Sequence, residues 1–221
     1  SLSGGEWTGT RIKDTQVSPP TINISGVTNG QVIFEDNFDT ENNGKGVFNY
    51  NSFSKWKVKD GTVDLIGNGF YDYIPGRGLY VDLDGSSMRS GIFETKQVFQ
   101  LQPGQYVLSF DLAGSQRGDT NTVTVKLGNV FHENITLASN EPMKTIKRVI
   151  NVSSTTSGTL SFRNSGGDNY GLLLDNVRLV RVSSSEAGRE SAFTQVGKGG
   201  LIFNNGNIAG VSNNPTRPTT F

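Results

Sequence analysis

Trp56-Lys57-Val58-Lys59-Asp60-Gly61-Thr62-Val63-Asp64-Leu65 sets apolar side chains at every second position on both sides of an Asp-Gly pair. Period-two alternation is the mark of half-buried strands. Asp-Gly suits a type I′ turn, whose two central residues both need positive φ. The stretch therefore predicts a hairpin in which Val58 pairs with Val63 and Trp56 with Leu65. The same alternation recurs outward from it. Leu79, Val81 and Leu83 alternate with Tyr80, Asp82 and Asp84. After a Pro103-Gly104 turn, Tyr106, Leu108, Phe110 and Leu112 alternate with Val107, Ser109 and Asp111. Val123 to Leu127, Ile146 to Val152, Leu160 with Phe162, and Leu172 to Val182 continue the series. No window carries a 3.6-residue apolar period. Short strands separated by turn residues predict an all-β, antiparallel sandwich and not a βα fold.

The predicted sandwich occupies residues 31–182, flanked by an N-terminal arm (1–30) and a Gly/Asn-rich C-terminal arm (183–221). Both arms are polar, the first containing Pro19-Pro20 and the second opening with Ser183-Ser184-Ser185. Each retains a short alternating string: Ile22 and Ile24 in one, Leu201 and Phe203 in the other. That spacing is what strand addition to an open sheet edge requires. The arms therefore predict self-assembly with copies of the same chain, by a heterologous contact that builds filaments when it does not close; the alternative is that they pack on their own body or link it to an anchor.

Composition excludes several classes. The 221 residues carry 20 Lys and Arg against 20 Asp and Glu, so no net charge drives a sequence-independent grip on nucleic acid or anionic lipid. Apolar runs such as Leu172-Leu173-Leu174 are far too short for membrane insertion. The absence of cysteine removes disulfides, thiolate metal sites and cysteine nucleophiles together. Richness in Ser, Thr, Asn and Gly, with no apolar leader before Ser1, leads us to expect an exported, extracellular or cell-surface chain whose signal peptide has been removed.

Several strings occur in a telling order: Asp36-Asn37-Phe38-Asp39, Trp56-Lys57-Val58, Gly61-Thr62-Val63-Asp64-Leu65-Ile66-Gly67, Leu79-Tyr80-Val81-Asp82-Leu83-Asp84-Gly85, Gln102-Pro103-Gly104 running on to Gly114, and Leu173-Leu174-Asp175-Asn176-Val177-Arg178-Leu179. In this succession the body resembles the choice-of-anchor and DUF642-type proteins, whose core is a galactose-binding-like jelly roll related to carbohydrate-binding modules. The resemblance leaves the arms uncovered. It implies an extracellular protein associated with polysaccharide or surface glycan, and a structural calcium ion (Ca2+). The matching ligand positions are Asp39 and Asp175, with Asn43 and its loop supplying further oxygens. The family usually has Glu where this chain has Asp39.

Catalytic constellations are weak. The sole histidine, His132, falls in a predicted loop, without the partners that a zinc site or a Ser-His-Asp triad needs. Asp64, Asp72, Asp82, Asp84, Glu94 and Asp111 are numerous enough for a glycosidase pair. Asp82 and Asp84, however, alternate with apolar residues as a solvated strand face would, and the expectation is a protein without catalysis. Glycan recognition needs exposed aromatic rings with planar polar groups beside them. Phe70-Tyr71-Asp72-Tyr73, followed by Pro75-Gly76-Arg77, is the best such cluster. It either presents Tyr71 and Tyr73 outward beside Arg77 or folds back as a satellite core. Tyr170, next to Asp168-Asn169, is a further rim candidate, and Arg117 and Asn121 flank another loop. The expected activity is binding, to glycans or to other copies of the chain.

Overall fold

The computed structural model describes residues 30–183. In these residues the strands are β1 (Gly30–Asp36), β2 (Trp56–Lys59), β3 (Asp64–Gly67), β4 (Leu79–Asp82), β5 (Ile92–Thr95), β6 (Phe99–Leu101), β7 (Gly104–Ala113), β8 (Asn121–Leu127), β9 (Phe131–Leu137), β10 (Lys144–Val152), β11 (Thr156–Gly158), β12 (Leu160–Ser165) and β13 (Leu173–Val182). The candidate assembly residues Ile22, Ile24, Leu201 and Phe203 lie outside the described residues.

One sheet runs β10-β7-β13-β4-β3, with β1 also pairing β13; the other runs β2-β5-β12-β8-β9; β6 and β11 form a small pair. The chain changes sheet between β1 and β2, β2 and β3, β4 and β5, β7 and β8, β9 and β10, and β12 and β13. That repeated passage, with antiparallel pairing, is a jelly-roll sandwich. The described residues divide into two compact units, one of Phe34–Pro103 with Leu108–Leu179, the other including residues 30–33, Gly104–Val107 and 180–183. In the second unit the Arg181 guanidinium lies 5.9 Å from the centre of the Tyr106 ring.

The hairpin expected at Asp60-Gly61 does not form. Strand β2 pairs with β5, placing Trp56 against Thr95 and Val58 against Phe93, while β3 pairs with β4, placing Leu65 against Val81. Asp60 does adopt positive φ (60°), but Gly61 lies at 148°, and the dipeptide is a corner between the sheets. The glycine is required there because a Cβ would come within 2.4 Å of the Ser90 carbonyl oxygen. Trp56 and Leu65 are both fully buried, but from opposite sheets. His132 is likewise not in a loop: it lies exposed on β9, opposite Lys126.

Aromatic rings dominate the interior. Trp56 stacks on Phe93 with centroids 4.2 Å apart and planes 5° from parallel. Phe34 of the six-stranded sheet meets Trp56 edge-on at 5.4 Å, and Phe110 meets Phe162 across the sheets at 5.2 Å. The Trp56 indole Nε1 donates to Asp36 Oδ2 at 2.8 Å, giving the buried ring the polar partner it needs. Trp56→Ala removes the stack and leaves Asp36 Oδ2 without the indole donor. A loss of about 3–5 kcal/mol of unfolding free energy is expected, read as a lower urea midpoint at unchanged m-value; a loss below about 1 kcal/mol would mean the core closes without this ring.

Candidate functional site

The outer face of the six-stranded sheet is where chemistry collects. Successive side chains on a strand point to opposite faces, so Leu65, Val81, Leu112 and Leu174 enter the core. Their neighbours Ile66, Tyr80, Ala113 and Leu173 form a second apolar cluster outside it. Two residues along from these lie Asp64, Asp82, Asp111 and Asp175, all on the same outer face. The solvated face expected for the strand carboxylates is therefore absent. Asp64, Asp82, Asp84, Asp111 and Asp175 are all buried, none more than 8% exposed.

Loops roof this face. The segment between β3 and β4 folds back so that Phe70, Tyr73 and Ile74 pack on the Ile66–Tyr80–Ala113–Leu173 cluster. The Tyr80 hydroxyl anchors it, donating to Asp72 Oδ1 at 2.8 Å and accepting from the Ile74 N–H at 2.9 Å. Gly46 lets Phe70 sit down, because a Cβ there would come within 2.5 Å of its ring. Both readings of the aromatic loop are thus partly met. Tyr73 turns inward, while Tyr71, at φ 46°, turns out and is 53% exposed. Tyr71 joins Phe48, which is 39% exposed, with ring centroids 4.8 Å apart. Phe48 was not singled out from sequence, since a lone Phe between Val47 and Asn49 has no distinguishing pattern.

Two arginines reach down from the loops to the buried acids. Arg117 Nη2 donates to Asp82 Oδ2, and Asp82 Oδ1 accepts the N–H groups of Asp84 and Gly171, each at 3.0 Å. The Arg117 guanidinium lies 4.6 Å from the ring centres of both Tyr73 and Tyr170. It is thus held between two rings, with its Nη1 3.5 Å from the Tyr73 hydroxyl. Tyr170 is 42% exposed and forms the solvent side of this stack. Tyr73 and Tyr170, far apart in sequence, are therefore brought together by Arg117. Arg77 behaves otherwise. It turns away from the aromatic rim to the sheet, where its Nε donates to Asp175 Oδ2 at 3.2 Å and its Nη2 to Asp111 Oδ2.

Burial raises the pKa of both Asp82 and Asp175 to about 7, against the opposing pull of Arg117 and Arg77 respectively. Asp64 stands directly across from Asp82 and adds to the rise of the latter. Asp64 is itself raised by burial, while Asn49 N–H at 2.7 Å and Ser86 Oγ at 2.7 Å donate to it.

The positions expected to hold calcium are engaged by protein donors. Asp39 and Asp175 are close enough for the charge of Asp39 to raise the pKa of Asp175. Yet Asp175 is occupied by Arg77 and by the Asn176 N–H at 2.8 Å, and Asp39 Oδ1 accepts the Leu79 N–H at 3.0 Å. Asn43 is an exposed residue in the turn Glu41–Gly44. No group of three or more His, Asp or Glu among the described residues is arranged to hold a metal ion, and calcium needs six to eight oxygens.

Neither a protein-family model nor a curated protein sequence matches this chain. Solved structures similar to it include an arabinose-bound α-L-arabinofuranosidase (TM-score 0.42, 11% identity, covering 58% of this chain and 23% of that one). The K3 cleaved adhesin domain of Lys-gingipain from Porphyromonas gingivalis w83 is similar at TM-score 0.44 and 15% identity, covering 67% of this chain and 99% of the domain. A carbohydrate-binding module from Cellvibrio mixtus lichenase 5A, in complex with cellotriose, is similar at TM-score 0.36 and 14% identity, covering 68% and 98%. The chain thus spans less than a quarter of the arabinofuranosidase but nearly all of the other two. The jelly roll itself is read from the strand order.

Acids with raised folded-state pKa bind more protons folded than unfolded between about pH 4 and pH 7, so stability falls as pH rises through that window. Asp82 and Asp175, joined by Asp36, Asp64 and Asp84, all shift in this direction. The melting temperature is expected to be several degrees higher at pH 5 than at pH 8, and Asp82→Asn to flatten part of that slope. A flat profile in differential scanning calorimetry would show that the arginines keep these carboxylates ionised throughout.

Proposed function

We propose that the chain is a non-catalytic, extracellular glycan-binding jelly roll whose contact surface centres on Tyr170, backed by Arg117 and Tyr73. The observation that carries this reading is the stack itself. A half-exposed ring is held rigid from behind by a guanidinium, which is in turn fixed by the buried Asp82. Rigid aromatic faces bury sugar surface at low entropic cost, and a cation behind the ring limits its motion. Tyr71 with Phe48 supplies a second exposed aromatic surface. A cleaving enzyme would need two carboxylates at an open cleft, and the strand carboxylates of this face are buried among donors that they need for folding.

Affinity gel electrophoresis against a panel of soluble neutral polysaccharides tests the reading. Retardation by at least one polymer is expected. Tyr170→Ala should weaken it at least tenfold, or about 1.4 kcal/mol, with an unchanged melting temperature. Absence of retardation by every polymer would overturn the proposal; equal retardation of the variant would move the site to Tyr71 and Phe48. Self-association through Ile22, Ile24, Leu201 and Phe203 belongs to the same extracellular proposal. Its expected signature is filaments of the full chain by negative-stain microscopy, lost on deletion of residues 183–221.

A further inference from the structure

The resemblance places a divalent cation near Asp39 and Asp175, but the chain brings a cation of its own to that spot. We infer that the Arg77 guanidinium is the built-in counter-ion of this part of the sheet, and that the jelly roll is for that reason independent of calcium. The geometry is that of a bridge between neighbouring strands. Arg77 Nε donates to Asp175 Oδ2 on β13 at 3.2 Å, and its Nη2 donates to Asp111 Oδ2 on β7, the strand adjacent to β13. The planar fork of a guanidinium reaches two carboxylates at once, which an ammonium group cannot do with the same fixed angles.

The remaining oxygens are also engaged. Asp175 Oδ1 accepts the Asn176 N–H at 2.8 Å. Asp111 Oδ1 accepts the Thr145 hydroxyl at 2.5 Å, and Asp111 Oδ2 accepts the Asn176 amide at 2.8 Å in addition to Arg77. A metal ion at the Asp175 and Asp111 carboxylates would have to displace Arg77 and share oxygens that already accept hydrogen bonds. The Asp175 side chain is only 2% exposed, so its charge is not met by water once it ionises, and Arg77 with the Asn176 N–H stands in for that solvation. Arg77 is carried there by the chain turn that ends at Gly78, where φ is 74° and a Cβ would meet Asp39 Oδ1 at 2.3 Å. That contact puts Asp39, the other expected calcium ligand, against the backbone next to the arginine.

The test is thermal unfolding of the full-length chain at pH 8, after extraction with EDTA and again in millimolar calcium chloride, with calorimetric titration of calcium into the extracted protein. The melting temperature should agree within a degree in the two buffers, with no heat of binding. Arg77→Gln should lower it by roughly 10 °C, because a buried ion pair loses one partner, and Arg77→Lys by less. A fall of several degrees on chelation, saturable calcium binding by the wild type, or an Arg77→Gln variant as stable as wild type would each overturn the inference. Should Arg77→Gln fail to fold, the two wild-type measurements decide. Polysaccharide retention is a separate readout, so failure of the glycan reading leaves this result standing.

Discussion

Asp82 sits in the six-stranded sheet, 1% exposed and directly across from Asp64, with Leu173 on its other side. Two carboxylates facing each other across a ladder repel, and a buried charge without a partner is expensive. Much of what lies above this face meets that demand. Arg117 comes in from one loop, the N–H groups of Asp84 and Gly171 from two others, and Ser86 and the Asn49 N–H attend to Asp64. The loops are shaped by the acids they serve. Breaking one partner strands the other, so the ion pairs specify loop positions more than they add net stability.

The rim inherits its rigidity from this arrangement. Arg117 is fixed at one end by Asp82, and its guanidinium then orders Tyr73 on one side and Tyr170 on the other. The aromatic loop is held in the same manner, since Tyr80 accepts from Ile74 and donates to Asp72 while Phe70 lies on Gly46. A surface ordered beforehand loses less entropy on association with a ligand. The order of the rim and the burial of charge in the sheet are therefore one physical system, linked through a single arginine side chain.

The inner face follows simpler rules. Trp56, Phe93, Phe162 and Phe110 fill the space between the sheets with edge and stacked contacts, and only the indole N–H needs a polar partner, which Asp36 supplies. Nothing in this interior depends on long-range electrostatics, and its residues are the ones that alternation along the chain marks as buried.

That difference divides what could be read from the chain by itself from what could not. Alternation alone placed Leu79–Leu83, Tyr106–Leu112, Val123–Leu127 and Leu172–Val182 in strands and put their apolar members in the core, because side-chain direction in a strand is a local property of the backbone. It could not say which strands pair. Trp56 and Leu65 satisfy the same alternation whether they meet in a hairpin or face each other from two sheets, and the corner at Gly61 was decided by its close approach to Ser90. Nor could it say that Asp82 is buried, since a polar residue opposite an apolar one looks solvated until loops distant in sequence cover it. Tyr71, Tyr73 and Tyr170 were visible as aromatics in loops, but their sorting into outward and inward rings waited on Arg117 and the Tyr80 hydroxyl. Local geometry was legible in the sequence; the partners of each buried charge, set by contacts tens of residues apart, belonged to the tertiary structure alone.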